Sequence, residues 1–168
     1  MTKQGVQAAR AAYSFPVRVY YEDTDAAGVV YYANYLKFME RARTEWLEAL
    51  GYPLAAFERA HGVAFVVRLA GIEFLLPARL NDRLVVTVEA SARGASRIEL
   101  EQNVLREATQ LATARITLAC LDAARWRPTR MPAPLAATLD AWAGTTRRAQ
   151  PSARIAPATP DSKEQETL

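Results

Sequence analysis

The chain of 168 residues is 51% apolar and 23% charged, with 21 basic against 18 acidic side chains and a net charge of +3. That length suits one domain, and the composition lies far from the polar, highly charged corner where chains stay disordered. So small a charge excess argues against nucleic acid as a partner, and a single cysteine, Cys120, with a single histidine, His61, excludes a disulfide scaffold and a cysteine-rich zinc site. No apolar run reaches about 18 residues, and Met1 to Ser14 lack the apolar stretch of a signal peptide. A soluble, cytoplasmic protein with no stable membrane insertion is expected.

Phe15 to Tyr21, FPVRVYY, is rich in β-branched and aromatic residues, with Pro16 near its start, and predicts a first strand. Acids, alanines and Gly28 break the pattern from Glu22 to Val30 and predict a turn that carries exposed polar groups. A helix follows, because Tyr32, Tyr35, Met39, Ala42, Trp46 and Leu50 recur three or four apart while Lys37, Arg41, Glu45 and Glu48 occupy the opposite side. Asn34 is the expected N-cap, Gly51 the stop, and Pro53 prevents resumption.

Leu54 to His61 reads as a connector. Val63, Phe65, Val67 and Leu69 then alternate, as do Ile72, Phe74 and Leu76, with Gly71 between them as the expected bulge or bend. Three further strands each alternate apolar with polar: Leu84 to Ala90, Ile98 to Val104 and Ala112 to Cys120. This is the pattern of an antiparallel sheet with one buried face. After Pro128, Pro132 and Pro134, Leu135 to Trp142 predicts a short last helix. The expected organisation is a flexible 1–14, a folded 15–143 and a disordered tail over 144–168.

Taken together, strand, acidic turn, long helix and meander resemble the hot-dog fold, an α+β architecture in which a curled antiparallel sheet of about five strands wraps one central helix. The stretch from Val17 to Gly51, VRVYYEDTDAAGVVYYANYLKFMERARTEWLEALG, is similar to the opening of the Tol-Pal-associated, YbgC-like acyl-CoA thioesterases and of the wider 4-hydroxybenzoyl-CoA thioesterase family. The likeness continues through LPARLNDRL, Leu76 to Leu84, to about Pro132. Its most specific element is Asp25-Ala26-Ala27-Gly28 with Tyr32 to Tyr35 at the helix start. The resemblance implies that Asp25 carries hydrolysis of an acyl-CoA and that Tyr21 helps to place its carboxylate. Where the Tol-Pal subgroup often has histidine, Tyr32 stands. The resemblance also implies a homodimer or homotetramer with sites at the subunit interface, and a Tol-Pal association.

Those residues suit the chemistry. Thioester hydrolysis needs an activated water or a nucleophile, plus donors for the charge that develops on the carbonyl oxygen. Asp25 precedes a helix start, where unpaired N–H groups and the dipole favour negative charge, and the Tyr32 N–H is the leading donor. No metal or redox cofactor is expected. Arg125, Arg127 and Arg130 crowd into six residues without an acid, and Arg127 and Arg130 are the candidates for the phosphates of coenzyme A.

Other readings are weaker. A calcium loop opening at Asp23 would place Ala27 and Asn34 at its fifth and twelfth positions, and a haloacid-dehalogenase phosphatase needs repeated βαβ units. An acyl-CoA sensor without activity is the alternative from the binding class. Glu40 and Arg43 are expected in ordinary polar contacts at a solvated or subunit-facing position, His61 on the surface, and Cys120 in the core.

Overall fold

The computed structural model describes residues 12–146. In chain order these form β1 (Tyr13–Arg18), a single 3-10 turn (Tyr21–Asp23), α1 (Asn34–Ala49), α2 (Leu54–His61), β2 (Val63–Phe74), β3 (Arg83–Arg93), β4 (Arg97–Arg106), β5 (Thr109–Asp122), β6 (Arg127–Pro128) and α3 (Ala133–Thr146). The sheet runs β1-β3-β4-β5-β2, every pairing antiparallel, with the short β6 added to β5. This is the expected hot-dog arrangement.

Period-two patterning decides which face is buried. Leu84, Val86 and Val88 of β3, Ile98, Leu100 and Val104 of β4, and Ala112 to Cys120 in alternation on β5 line one face. Against it lies α1, whose Tyr35, Phe38, Met39, Ala42, Trp46 and Leu47 are buried. Each large apolar side chain so enclosed contributes about 1.5–3 kcal/mol. The helix stops where Gly51 takes φ +89°, its N–H donating to Glu48 O and that of Tyr52 to Leu47 O. A left-handed residue there closes the last turn at little cost only if it is glycine. Arg43 departs from its expected place. It is buried, and its Nη1 donates to Gln102 Oε1 at 2.8 Å, while Gln102 Nε2 donates to Met39 O at 3.1 Å.

Several local expectations are corrected. The first strand ends at Arg18, and beyond it Val19 exchanges backbone hydrogen bonds with the 81–82 turn. Asn34 is the first helical residue and does not cap; its Nδ2 reaches back to Asp23 O at 2.9 Å. The connector Leu54–His61 is helix α2, held by the burial of Phe57 and ended by Gly62 at φ +63°. Near Gly71 the strand is continuous, and the bulge lies instead at Arg68, between Val67 and Leu69. Val67 pairs with Leu118 and faces inward, whereas Leu69 pairs with Thr117 and faces outward. Finally, α3 extends to Thr146, and Tyr13 and Ser14 already belong to β1. The rest of the expected flexible ends, 1–11 and 147–168, lies outside the described residues.

The sheet ends on β1 and on β2, of which the twelve-residue β2 is the longer edge. Among the described residues no strand pairs with the far side of β2. Its inward residues Val67 and Phe74 are about half exposed, and Ala70 is exposed too, although their β5 partners Leu118, Ala112 and Ile116 are buried. No described helix is long and apolar enough to cross a membrane.

Candidate active site

Asp25 opens a tight turn ahead of α1. Gly28 N–H donates to Asp25 O at 2.9 Å, Ala27 N–H to Asp25 Oδ1 at 2.8 Å, and Asp25 N–H to Val29 O at 2.9 Å. Gly28 sits at φ +73°, which a side chain at this position would strain. Thr24 bridges to Val30 across the turn. The Asp25 side chain therefore stands exposed, one oxygen tied down and Oδ2 accepting no hydrogen bond from the described residues.

The neighbouring acid has the opposite role. Asp23 is buried, its Oδ2 accepting the Tyr20 N–H at 2.8 Å, and its backbone carbonyl accepts from Tyr31 N–H and Asn34 Nδ2, both at 2.9 Å. It fastens the turn to the start of α1. The 77–82 segment braces the other side: Val30 N–H donates to Ala78 O at 2.8 Å, and Ala78 N–H donates to the Tyr35 hydroxyl at 3.1 Å. Burial raises the Tyr35 phenol above its ordinary value. Asp82 accepts from Arg79 N–H and from Arg106 at 2.7 Å. Burial opposes ionisation of Asp82, but those donors and charges win and hold its carboxyl below the usual range.

At the amino end of α1 the N–H groups of Asn34, Tyr35 and Leu36 donate to the carbonyls of Tyr31, Tyr32 and Ala33. The Tyr32 and Ala33 N–H groups find no acceptor among the described residues. Beside them the Tyr31 and Tyr32 rings lie 4.7 Å apart, and Phe74 sits edge-on to Tyr35 at 5.3 Å and to Tyr32 at 6.4 Å. The Tyr32 hydroxyl first, then burial and the charge of Asp25, raise the Tyr31 phenol. A groove of about 260 Å³ opens here between Val29, Tyr32, Tyr35, Phe74, Leu76 and Pro77. A larger hollow, about 610 Å³, lies on the outer sheet face among Leu69, Glu73, Glu101 and Arg115. It is away from the carboxylate turn, so the smaller, more apolar groove is the candidate acyl site.

The expected residues do not all converge. Asp25 and Tyr32 belong to this corner. Tyr21 begins the 3-10 turn with its ring 82% exposed; its carbonyl accepts from Thr24 N–H and Thr24 Oγ1, and its hydroxyl makes no hydrogen bond to Asp25. Arg127 and Arg130 lie elsewhere, because the hairpin that carries them is fixed to the start of β2 by Ala123 N–H donating to Gly62 O. The twelve residues of β2 separate that end from Phe74 by about 36 Å at roughly 3.3 Å per residue. Sequence reasoning missed Asp23 as the clasp, Tyr31 as the ring packed beside Tyr32, and Phe74 as a groove residue. Only the alternation running into Pro77 pointed to Phe74.

Comparison with known proteins accords with this geometry. Residues 19–139 match the model of the thioesterase-like superfamily. An acyl-CoA thioesterase, YbgC, of Haemophilus influenzae is 43% identical over 120 residues, covering 71% of this chain and 88% of the relative. A 1,4-dihydroxy-2-naphthoyl-CoA hydrolase of Thermosynechococcus vestitus is 36% identical over 125 residues, 74% of this chain and 83% of that protein. Among solved structures, a probable thioesterase from Bartonella henselae superposes with a TM-score of 0.64 at 37% identity, covering 73% of this chain and 99% of the other. Fold and comparisons together define a hot-dog thioesterase. The chain belongs to the thioesterase-like superfamily, among its YbgC-like members.

Proposed function

We propose that the protein hydrolyses an acyl-CoA thioester to a carboxylic acid and coenzyme A, with Asp25 as the reacting carboxylate and the amino end of α1 as the oxyanion site. The observation that carries this is the pair of unaccepted N–H groups on Tyr32 and Ala33 beside the Asp25 turn and the apolar groove. A thioester whose acyl group fills the groove presents its carbonyl oxygen to those donors. Attack on the carbonyl carbon moves the C=O electron pair onto that oxygen, and collapse of the intermediate expels the coenzyme A thiolate, which takes up a proton. Asp25 either attacks or deprotonates the attacking water; both begin from an ionised carboxylate with Oδ2 free. Direct attack leaves an acyl anhydride on Asp25 that a water then opens to release the acid and restore the carboxylate; in single-turnover hydrolysis in H2(18)O, label in Asp25 arises only by this route, when that water attacks the aspartyl carbon.

Tyr32 supports the reading through its backbone. In Tyr32→Phe the ring and N–H remain, so kcat is expected to fall less than about tenfold, short of the roughly 10²-fold that loss of an oxyanion donor costs. A thiol-release assay on an acyl-CoA panel measures this and maps the acyl preference. The resemblance extends the proposal to Tyr21, whose exposed side chain we assign to placing the Asp25 carboxylate once substrate is bound. Arg127 and Arg130, exposed and without an ion-pair partner among the described residues, are the proposed phosphate ligands.

The unpaired edge of β2 supports a homodimer built by antiparallel pairing of that strand with a second copy, which also covers Val67, Ala70 and Phe74. Val67→Asp places a charge on that face. It is expected to leave a folded monomer by sedimentation, with native circular dichroism and greatly reduced thiol release; a native dimer overturns the assignment. The resemblance extends the proposal to a cytoplasmic setting, to a homodimer or homotetramer and to Tol-Pal association.

A further inference from the structure

The groove at the Asp25 corner stops at one side chain. Phe74 is the lining residue that lies farthest along β2, and it stands 48% exposed on the inward face, where its strand partner is Ala112. Its ring meets those of Tyr35 and Tyr32 edge-on, at interplanar angles of 72° and 82°, a geometry that aromatic pairs favour and that fixes the ring's direction.

Beyond Phe74 the inward face of β2 is built from smaller groups. Ile72 pairs with Ala114 and Ala70 with Ile116, and no further aromatic occurs on that face until Phe65, opposite Cys120. Ile72 and Ala70 lie about 7 and 13 Å from Phe74 at roughly 3.3 Å per residue. Ile72 is half-buried and Ala70 exposed, so the strip is open. The polar side chain nearest in register, Gln102 opposite Ala114, is fully buried, with its amide engaged by Arg43 and Met39 O. The side chains of the strip are thus all apolar and suit a hydrocarbon chain. In the dimer proposed above the second copy covers this strip, which makes it an enclosed path.

We propose that Phe74 is the specificity-determining residue of the site: it ends the acyl groove and sets the longest acyl chain accepted, with the strip from Ile72 to Ala70 as the space it closes off. This deepens the hydrolytic reading above and rests on it. With the carbonyl oxygen at the Tyr32 and Ala33 N–H groups, an acyl chain runs along the groove until it meets the Phe74 ring. Up to that length each added methylene leaves water and is worth about fourfold in kcat/KM. Past it, each methylene must displace the ring or stay in water.

A straight-chain series of acyl-CoAs in the thiol-release assay tests this. In the native protein kcat/KM is expected to climb with chain length and then break sharply. Phe74→Ala moves the break to longer chains, with a gain of roughly fifteenfold for a chain two methylenes past the native break. Phe74→Ala/Ile72→Phe, which refills the strip, moves it back. Phe74→Trp keeps an aromatic ring beside Tyr32 and Tyr35 and shifts the break to shorter chains, so the assignment stays testable where Phe74→Ala does not fold. A break at the same length in every variant, or a change by one factor at all lengths, overturns it.

Calorimetry separates chain length from hydrolysis. In Asp25→Asn, Kd for the same acyl-CoAs is expected to fall with chain length and level off at the native break, whereas in Asp25→Asn/Phe74→Ala it keeps falling. That result supports the length assignment even if the native protein releases no thiol from any acyl-CoA, an outcome that sinks the hydrolytic reading alone. A Kd profile that Phe74→Ala leaves unchanged overturns the role given to Phe74.

Discussion

Replacing Asp25 by asparagine is expected to lower kcat for thioester cleavage by about 10³-fold, within the range for a reacting acid-base group, with little change in KM. The amide oxygen of asparagine still accepts the Ala27 N–H that Oδ1 accepts now, so the turn survives and only the ionisable oxygen is lost. Because the side chain is exposed, the melting temperature stays native. Asp23→Ala gives the opposite profile. That carboxylate is buried on the Tyr20 N–H, so its loss lowers stability along with activity. Thiol release that persists in Asp25→Asn would refute the proposed role of this carboxylate.

The second large effect lies under the central helix. Gln102 is fully buried and is the hydrogen-bond acceptor seen for the Arg43 guanidinium, which burial pushes below its ordinary pKa against the opposing charge of Glu40. Gln102→Met leaves a buried cation without that partner, and a hydrogen bond to a charged group together with the desolvation left behind is worth about 3 kcal/mol. At roughly 3 °C per kcal/mol for a domain of this size, Tm falls by about 9 °C. Arg43→Met/Gln102→Met removes both partners and is expected to recover more than half of that loss. A double variant no more stable than Gln102→Met would show that the pair does not act as a unit. Thermal melts of the three variants measure this.

Legibility in the sequence followed the strength of the periodic signal. Strands β3, β4 and β5 alternate over seven or more residues, and α1 repeats its apolar face through four turns, so their type and buried side were readable. The eight residues of α2 bury only Phe57, too little for a helical period to emerge. At β2 the residues from Val63 to Leu69 fit a regular strand, and Gly71 drew attention from the true irregularity at Arg68. Asn34 has the chemistry of a cap, but a tertiary acceptor, the Asp23 carbonyl, took its amide. At the site, Asp25 and the Tyr32 backbone came from the motif. Two acids separated by one residue look alike in a sequence, and only the 3-10 turn decides that Asp23 is buried while Asp25 is presented. The distance from Arg127 and Arg130 to that corner is set by strand pairing, which no local pattern records.

The incompletely covered face of β2 ties conformational stability to mass action. The exposed surface of Val67, Ala70 and Phe74 is removed from water by the second copy of the proposed dimer, so assembly and folding become linked equilibria. Each tenfold dilution then removes about 1.4 kcal/mol per mole of dimer from the native state. An unfolding midpoint that climbs with protein concentration is the signature of such linkage.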